Sequence, residues 1–172
     1  MAAKTTNPFD VFKQALDFML CDETLRRTDS MHQMAIVARP SIVLSAFASE
    51  LFLKCLLLIE GKGTHNCHDL HVLYKKLSPQ AQTLIASKWD FPTRRAAEIA
   101  FAEMESGQKM PTDLDSALIR GGNAFKKMRY IYEDPLGTDF YLIDLPRILH
   151  DVILALKPEW KNLMVHAIRQ VA

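Results

Sequence analysis

The sequence has little of what marks a secreted, disulfide-bonded or strongly basic chain. Its 172 residues include three cysteines, an odd number that does not suit a disulfide framework. The N-terminal residues lack the apolar stretch of a secretory signal. The formal net charge is +1, so no global basic excess indicates nucleic acid, although a local basic face is compatible with this balance. We therefore expect one soluble, cytoplasmic domain over residues 1–172, with a sizeable core.

Several catalytic and architectural signatures are also missing. The sequence has no P-loop, no dinucleotide-binding glycine fingerprint and no G-x-S-x-G nucleophile elbow. Ser41, Ser45 and Ser49 are better explained as small residues that permit close helix packing than as nucleophiles. No run of strand length alternates apolar and polar residues, and there is no internal repeat. These absences favour an all-α protein, and we expect no cofactor.

Helix signals account for most of the chain. Start or break signals, two of them a capping side chain followed by proline, occur at Asn7-Pro8, Pro40, Ser78-Pro79, Thr112 and Pro146. Pro40 is expected to bend or restart a helix. The pattern predicts an antiparallel bundle of four to five main helices with short helices between them. Residues 87–111 have the weakest apolar periodicity and are predicted to be an insertion or lid.

The most informative segment is the apolar run from Ser41 to Glu60, which Gly61 ends. A helix that is apolar on nearly all faces lies at the centre of a core or spans a membrane. Glu50 and Lys54 interrupt this run four residues apart, so they share a helix face and can pair. Each charge would cost about 3 kcal/mol at the centre of a membrane span. The pair therefore predicts the central helix of a soluble bundle, with no membrane contact.

A basic stripe is predicted on a long helix that Thr112 caps and that runs to about Glu133. Four polar residues are spaced three, four and three positions apart and so share one face of that helix: Arg120, Asn123, Lys127 and Tyr130. Arg129 lies beside this face. Tyr132 is assigned to the apolar face. Gly121-Gly122 costs about 1 kcal/mol per glycine relative to alanine, so a helix or a ligand is expected to approach closely there. The stripe is interpreted either as a solvated face or as an anion site for phosphate or a nucleic-acid backbone.

The segment HNCHDLH, from His65 to His71, is rich in metal-type ligands. The spacing of His68 and His71 puts two zinc ligands on one helix face, but no C-x-x-C or H-x-x-x-H supplies the second pair of a complete site. We therefore predict no metal site, and interpret the segment as a loop-to-helix junction where a carboxylate holds one histidine. The predicted buried polar cluster, which would fix helix register, consists of Glu50, Lys54, His68 and Asp69.

Three segments, SAFASELFLKCLLLIEG, HDLHVLYKKL and NAFKKMRYIYE, together resemble HEPN domains, the all-α modules of prokaryotic toxin–antitoxin and phage-defence systems. The likeness covers about residues 40–156. The resemblance implies an antiparallel helical bundle that forms a homodimer. Many members of this family are metal-independent ribonucleases, and others are non-catalytic and bind nucleotides or partner proteins.

The chain departs from the ribonuclease members of that family. These carry an arginine, four to six further residues and then a histidine, on a late helix at the dimer interface. Neither Arg120 nor Arg129 has a histidine at that spacing, and the arginines that do, Arg26 and Arg27, reach His32 on a different segment. Without this histidine the site lacks the residue best suited to move protons near neutral pH.

These observations favour a non-catalytic, HEPN-like homodimer that binds a nucleotide, RNA or an anionic partner through the basic stripe. One alternative is a diverged ribonuclease in which His68 is the base. Another is a protein-interaction or scaffolding partner in a two-gene system. In that case Ile148, Val152 and Leu156 on the last helix would form an interface instead of core.

Overall fold

The protein is built from helices. The computed structural model describes residues 6–27, 30–63, 66–107, 109–130, 132 and 142–162. No strand occurs among those residues, so the all-α prediction is confirmed. The helices, in chain order, are α1 (Pro8–Leu25), α2 (Met31–Ile59), α3 (Leu70–Lys75), α4 (Pro79–Ser87), α5 (Phe91–Arg94), α6 (Ala96–Ser106), α7 (Leu114–Gly121), α8 (Ala124–Arg129) and α9 (Leu145–Leu156).

Capping side chains begin two helices where the sequence predicted them. The Asn7 Oδ1 accepts a hydrogen bond from the backbone N–H of Phe9 at 3.0 Å, at the start of α1. The Ser78 Oγ likewise accepts from the backbone N–H of Ala81 at 3.2 Å, at the start of α4. Proline follows the cap in both cases, where its missing N–H costs no helical hydrogen bond.

The central helix is longer than predicted, because α2 passes through Pro40 without restarting. It begins at Met31, with Ser30 as its N-cap. A proline inside a helix leaves the carbonyl four residues earlier without its partner, here the carbonyl of Ile36. Both Pro40 and Ile36 are exposed, so water can replace the missing hydrogen bond.

Part of α2 also has the length and apolar character of a membrane span. The stretch Ile36–Ile59 has a mean hydropathy of 2.1 in its most apolar window, and no other helix among the described residues qualifies. However, 56% of that window is buried inside the protein. The core helix of a soluble protein has the same properties, so this observation is weak support for a membrane location.

The core forms where α2 packs against α1, α3, α8 and α9. Phe52 of α2 meets Phe12 of α1 with their ring centroids 5.7 Å apart, and both side chains are fully buried. Burying a side chain of this size stabilises the fold by about 1.5–3 kcal/mol. On α9, Ile148 and Val152 are buried in the same core, whereas Leu156 is exposed. The interface that the partner hypothesis placed on this helix is therefore mostly core.

The cysteines are free thiols, as the sequence suggested. Cys21 is exposed, whereas Cys55 is buried in α2 and donates a hydrogen bond to the carbonyl oxygen of Pro8 at 3.3 Å. Burial raises the pKa of the Cys55 thiol to about 12, because a thiolate would be poorly solvated there. Cys55 therefore behaves as a small apolar core residue.

The long helix predicted after Thr112 is instead two helices, α7 and α8. Asp113 and not Thr112 caps α7, with its Oδ1 accepting from the backbone N–H of Ser116 at 2.8 Å. The chain then turns at Gly122 and Asn123 before α8 begins. α8 ends at Arg129, short of the predicted end at Glu133, which lies outside the described residues. The prediction of one continuous helical face is therefore wrong.

A close contact with α3 accounts for the break at Gly122. The carbonyl oxygen of Gly122 accepts a hydrogen bond from the backbone N–H of Leu70 at 3.0 Å. A Cβ atom at this position would lie 3.1 Å from Oδ1 of Asp69, 3.2 Å from the backbone nitrogen of His71 and 2.5 Å from the carbonyl oxygen of Leu118. The close approach expected at the glycine pair is thus made by a helix start.

Replacing Gly122 with alanine is expected to lower the free energy of unfolding by about 1–3 kcal/mol, since the added methyl group overlaps backbone that cannot move alone. The matched control is Lys126→Ala, at an exposed position of α8, which is expected to change stability by less than about 0.5 kcal/mol. Urea unfolding measures both variants. A Gly122→Ala protein as stable as the parent would contradict the close contact.

Candidate nucleic-acid interface

The carboxylate of Glu50, in the middle of α2, is buried and holds two basic side chains. Only 1% of Glu50 is exposed. Its Oε1 accepts a hydrogen bond from Nζ of Lys54 at 2.8 Å, and Nδ1 of His68 lies 3.0 and 3.1 Å from its two oxygens. Lys54 is one turn further along α2, whereas His68 comes from the loop before α3. The structure therefore brings together three of the four residues predicted for the polar cluster.

Asp69, the fourth residue, makes different contacts. Its Oδ1 accepts from the backbone N–H of Val72 at 3.1 Å and so caps α3. Its Oδ2 accepts from Nδ2 of Asn123 at 2.7 Å. The side chain of Asp69 thus joins the start of α3 to the turn between α7 and α8. Asn123, which the sequence placed on the basic stripe, is engaged in this internal contact.

The other residues of the predicted stripe are also separated by the break between α7 and α8. Arg120 donates through a terminal guanidinium nitrogen to the carbonyl oxygen of Lys109 at 3.1 Å. Lys127 and Tyr130 are exposed on and just after α8. The side chain of Arg129 lies outside the described part of the chain. Of the stripe residues whose side chains are described, Lys127 and Tyr130 are the two exposed ones on α8 or directly after it.

An exposed patch nevertheless lies on α8 and just beyond it. We call it the α8 surface, and it consists of Lys126, Lys127, Tyr130 and Tyr132. The two tyrosines are 41% and 73% exposed, and their ring centroids are 6.4 Å apart at an interplanar angle of 61°. The sequence placed Tyr132 on the apolar face of a helix, but α8 ends at Arg129 and Tyr132 is an exposed turn residue beyond it. Two lysines beside two exposed aromatic rings are a combination that suits a nucleic-acid strand.

The α8 surface is tied to the rest of the bundle through Phe125. The rings of Phe125 and Phe47 stack with centroids 5.1 Å apart, and Phe47 in turn meets Phe18 of α1 at 4.6 Å. The imidazole of His68, 6.1 Å from the Phe125 ring, completes the contact. Lys126 and Lys127 follow Phe125 directly in sequence. The position of these lysines therefore depends on packing against α2 and on the loop that Glu50 anchors.

The two described histidines of the His65–His71 segment contact two different carboxylates. His68 contacts Glu50, whereas Nε2 of His71 lies 3.3 Å from Oδ1 of Asp115 on α7. Lys75 also lies 2.6 Å from that oxygen, and its hydrogen bond lowers the pKa of Asp115. Within the described ranges, no three His, Cys, Asp or Glu side chains are grouped so as to hold a metal ion. His65 lies outside those ranges.

Comparison of the chain with protein-family models, with curated proteins and with solved structures gave no match. The HEPN resemblance stays a prediction based on its three sequence segments.

Replacing Glu50 with alanine is expected to lower the free energy of unfolding by about 1–3 kcal/mol, because Lys54 and His68 lose a buried hydrogen-bonding partner. Both basic groups retain some access to solvent, which limits the cost. Glu159→Ala, at an exposed position, is the control. Urea unfolding gives the stability, and RNA titration gives the accompanying change in affinity. Unchanged stability, or a change in affinity that exceeds the change in stability, would contradict a structural role for Glu50.

Proposed function

We propose that this chain is a non-catalytic, HEPN-like module that binds single-stranded RNA across the α8 surface. The observation that supports this proposal best is the exposed pair Tyr130 and Tyr132 beside Lys126 and Lys127. Among the described residues this is the place where exposed aromatic rings and exposed lysines occur together. Lys127 and Tyr130 also belong to the predicted basic stripe, and both side chains are exposed.

The chemistry of these side chains favours a single strand over a duplex. Unpaired bases can stack on exposed aromatic rings, and each such contact contributes about 1–3 kcal/mol. Lysine ammonium groups attract the backbone phosphates and release counterions when they do so. In a duplex the bases already stack on one another, so the tyrosines would contribute little. The homodimer that the HEPN resemblance implies would present two such surfaces on one particle.

The double variant Lys126→Ala/Lys127→Ala is expected to weaken binding of a short single-stranded RNA and to make it less salt-dependent. Removing one lysine that neutralises a phosphate reduces the slope of log K against log salt by about 0.7 for a single strand. Tyr132→Ala is expected to weaken binding at all salt concentrations by about 1–3 kcal/mol. Fluorescence anisotropy at several salt concentrations measures both effects.

Lys88→Ala, which removes an exposed lysine at the end of α4, is the control for that experiment and is expected to leave the slope unchanged. A duplex of the same sequence is expected to bind more weakly than the single strand. If the parent protein shows no salt-dependent RNA binding, the RNA-binding proposal fails and a protein partner becomes the better hypothesis.

His68 favours a second candidate function, a metal-independent ribonuclease. Its Nδ1 is held by the buried carboxylate of Glu50, while 62% of its side chain is exposed. Its Nε2 makes no hydrogen bond with the described residues. A carboxylate that orients an imidazole in this way is a common arrangement for a general base. As general base, His68 would take the proton of an RNA 2′-hydroxyl, and the 2′-oxygen would then attack the adjacent phosphorus. The bond from phosphorus to the 5′-oxygen would break, and water would protonate that leaving oxygen.

Incubation of the purified protein with 5′-labelled RNA, without added metal, distinguishes the two candidates. The non-catalytic proposal predicts that the RNA stays intact. The ribonuclease candidate predicts cleavage that His68→Ala abolishes and that His71→Ala, the matched histidine control, largely retains. Cleavage that survives His68→Ala would indicate a contaminating nuclease and would count against both the base assignment and the ribonuclease candidate.

A further inference from the structure

A cavity of about 290 Å³ lies where the end of α1 meets α5 and the start of α9. Five arginines and three carboxylates line it, so two positive charges are in excess. These residues are Arg26, Arg27, Arg94, Arg95 and Arg147, with Asp22, Glu23 and Asp144. A group of guanidinium ions with surplus charge around an open cavity has the composition of a site for a phosphate or carboxylate. None of these residues belongs to the α8 surface.

Buried carboxylates hold two of the arginines in place. Arg26 donates through Nε and a terminal nitrogen to the two oxygens of Asp22 at 2.9 and 2.6 Å, and its Nε also contacts the Ser41 hydroxyl at 2.7 Å. That hydroxyl donates to Asp22 as well. Arg95 forms the same two-point contact with Asp144, at 3.3 and 3.2 Å. Asp22 and Asp144 are both buried, so the guanidinium groups have fixed positions at the cavity wall.

Two other arginines supply the surplus charge. The side chain of Arg27 is exposed and makes no hydrogen bond or ion pair with the described residues. Among the described residues, Arg94 forms one ion pair, in which its terminal nitrogen lies 3.8 Å from Oδ1 of Asp90 and hence beyond hydrogen-bond distance. Arg27 comes from the end of α1, whereas Arg94 ends α5. An anion between them would receive charge from two sides.

A second cavity, of about 490 Å³, adjoins the first and has a different character. The two share Arg26, Arg95 and Ile143 in their walls. The remaining wall of the second cavity is mainly apolar and is formed by Val37, Ala38, Ser41 and Ile42 of α2. Together the two cavities form a cleft with one end rich in arginine and the other lined by aliphatic side chains.

We propose that this cleft binds a phosphate monoester that carries a flat apolar group, in the manner of a nucleoside monophosphate. The phosphate would lie between Arg27 and Arg94, where charge-assisted hydrogen bonds are available. The base would occupy the aliphatic end, where it could stack on the guanidinium plane of Arg26. The combined cleft has the size of ordinary small-ligand sites. This site is separate from the RNA-binding surface and does not depend on it.

Isothermal titration of the full chain with AMP, inorganic phosphate and adenosine tests the proposal. We expect AMP to bind at least ten-fold more tightly than inorganic phosphate, because it also fills the aliphatic end, and adenosine to bind more weakly than AMP. Arg27→Gln and Arg94→Gln are each expected to weaken AMP binding about ten-fold, since each removes a charged hydrogen bond. Ala38→Phe fills the aliphatic end and is expected to weaken AMP binding without affecting phosphate.

Arg39→Gln is the matched control, because Arg39 is exposed on α2 but does not line either cavity. We expect the affinity of this variant for AMP to stay within two-fold of that of the parent. RNA binding by Arg27→Gln is expected to stay unchanged, which separates this site from the α8 surface. The proposal is overturned if neither AMP nor phosphate binds, if Arg27→Gln and Arg94→Gln both bind AMP as the parent does, or if phosphate binds as tightly as AMP.

Discussion

The burial of one carboxylate, that of Glu50, is the constraint on which the rest of the α8 surface depends. A charge placed inside an apolar helix is costly unless neighbouring groups neutralise it and satisfy its hydrogen bonds. Lys54 meets part of this need from the same helix, and His68 meets the rest from a distant loop. His68 holds the loop before α3 against α2, so α3 begins close to Gly122, whose carbonyl oxygen accepts from the Leu70 N–H. The chain turns at Gly122, and α8 starts directly after that turn.

The same principle operates at the cleft between α1 and α9. There Asp22 and Asp144 are the buried anions, and each of them fixes an arginine at the cavity wall. In both regions an interior carboxylate orients a basic group that remains partly accessible. An anionic ligand would then meet groups that are already ordered, so it would lose little affinity to the cost of ordering them.

The helices and the polar pair on α2 follow from local patterns in the sequence. A cap followed by proline predicts the start of α1 at Asn7, and the four-residue spacing of Glu50 and Lys54 predicts their contact. The break before α8 does not follow from such patterns. The glycine at position 122 indicates a close approach, but the sequence does not show which residues make it. They are Asp69 and His71, about fifty positions earlier, and only the fold brings them to Gly122.

The arginine-lined cleft is still less accessible to sequence reasoning. Its basic residues come from three separate places, Arg26-Arg27, Arg94-Arg95 and Arg147, and each place alone looks like an ordinary helix end. The two adjacent arginine pairs are the feature of the sequence that could have indicated an anion site. The segment 87–111 was predicted to be an insertion or lid, and the structure places two of its arginines in the cleft wall. The contribution of Arg94 and Arg95 to the cleft therefore depends on tertiary contacts, which the local pattern of apolar residues does not reveal.

The most direct test of RNA binding at the α8 surface is a map of backbone amide chemical shifts as a short single-stranded RNA is added to the protein. We predict that the largest changes occur at Lys126, Lys127, Tyr130 and Tyr132, with smaller ones at His68, and that the residues lining the arginine cleft change little. Changes centred on other helices, or no change at all, would contradict the proposal that the α8 surface binds RNA.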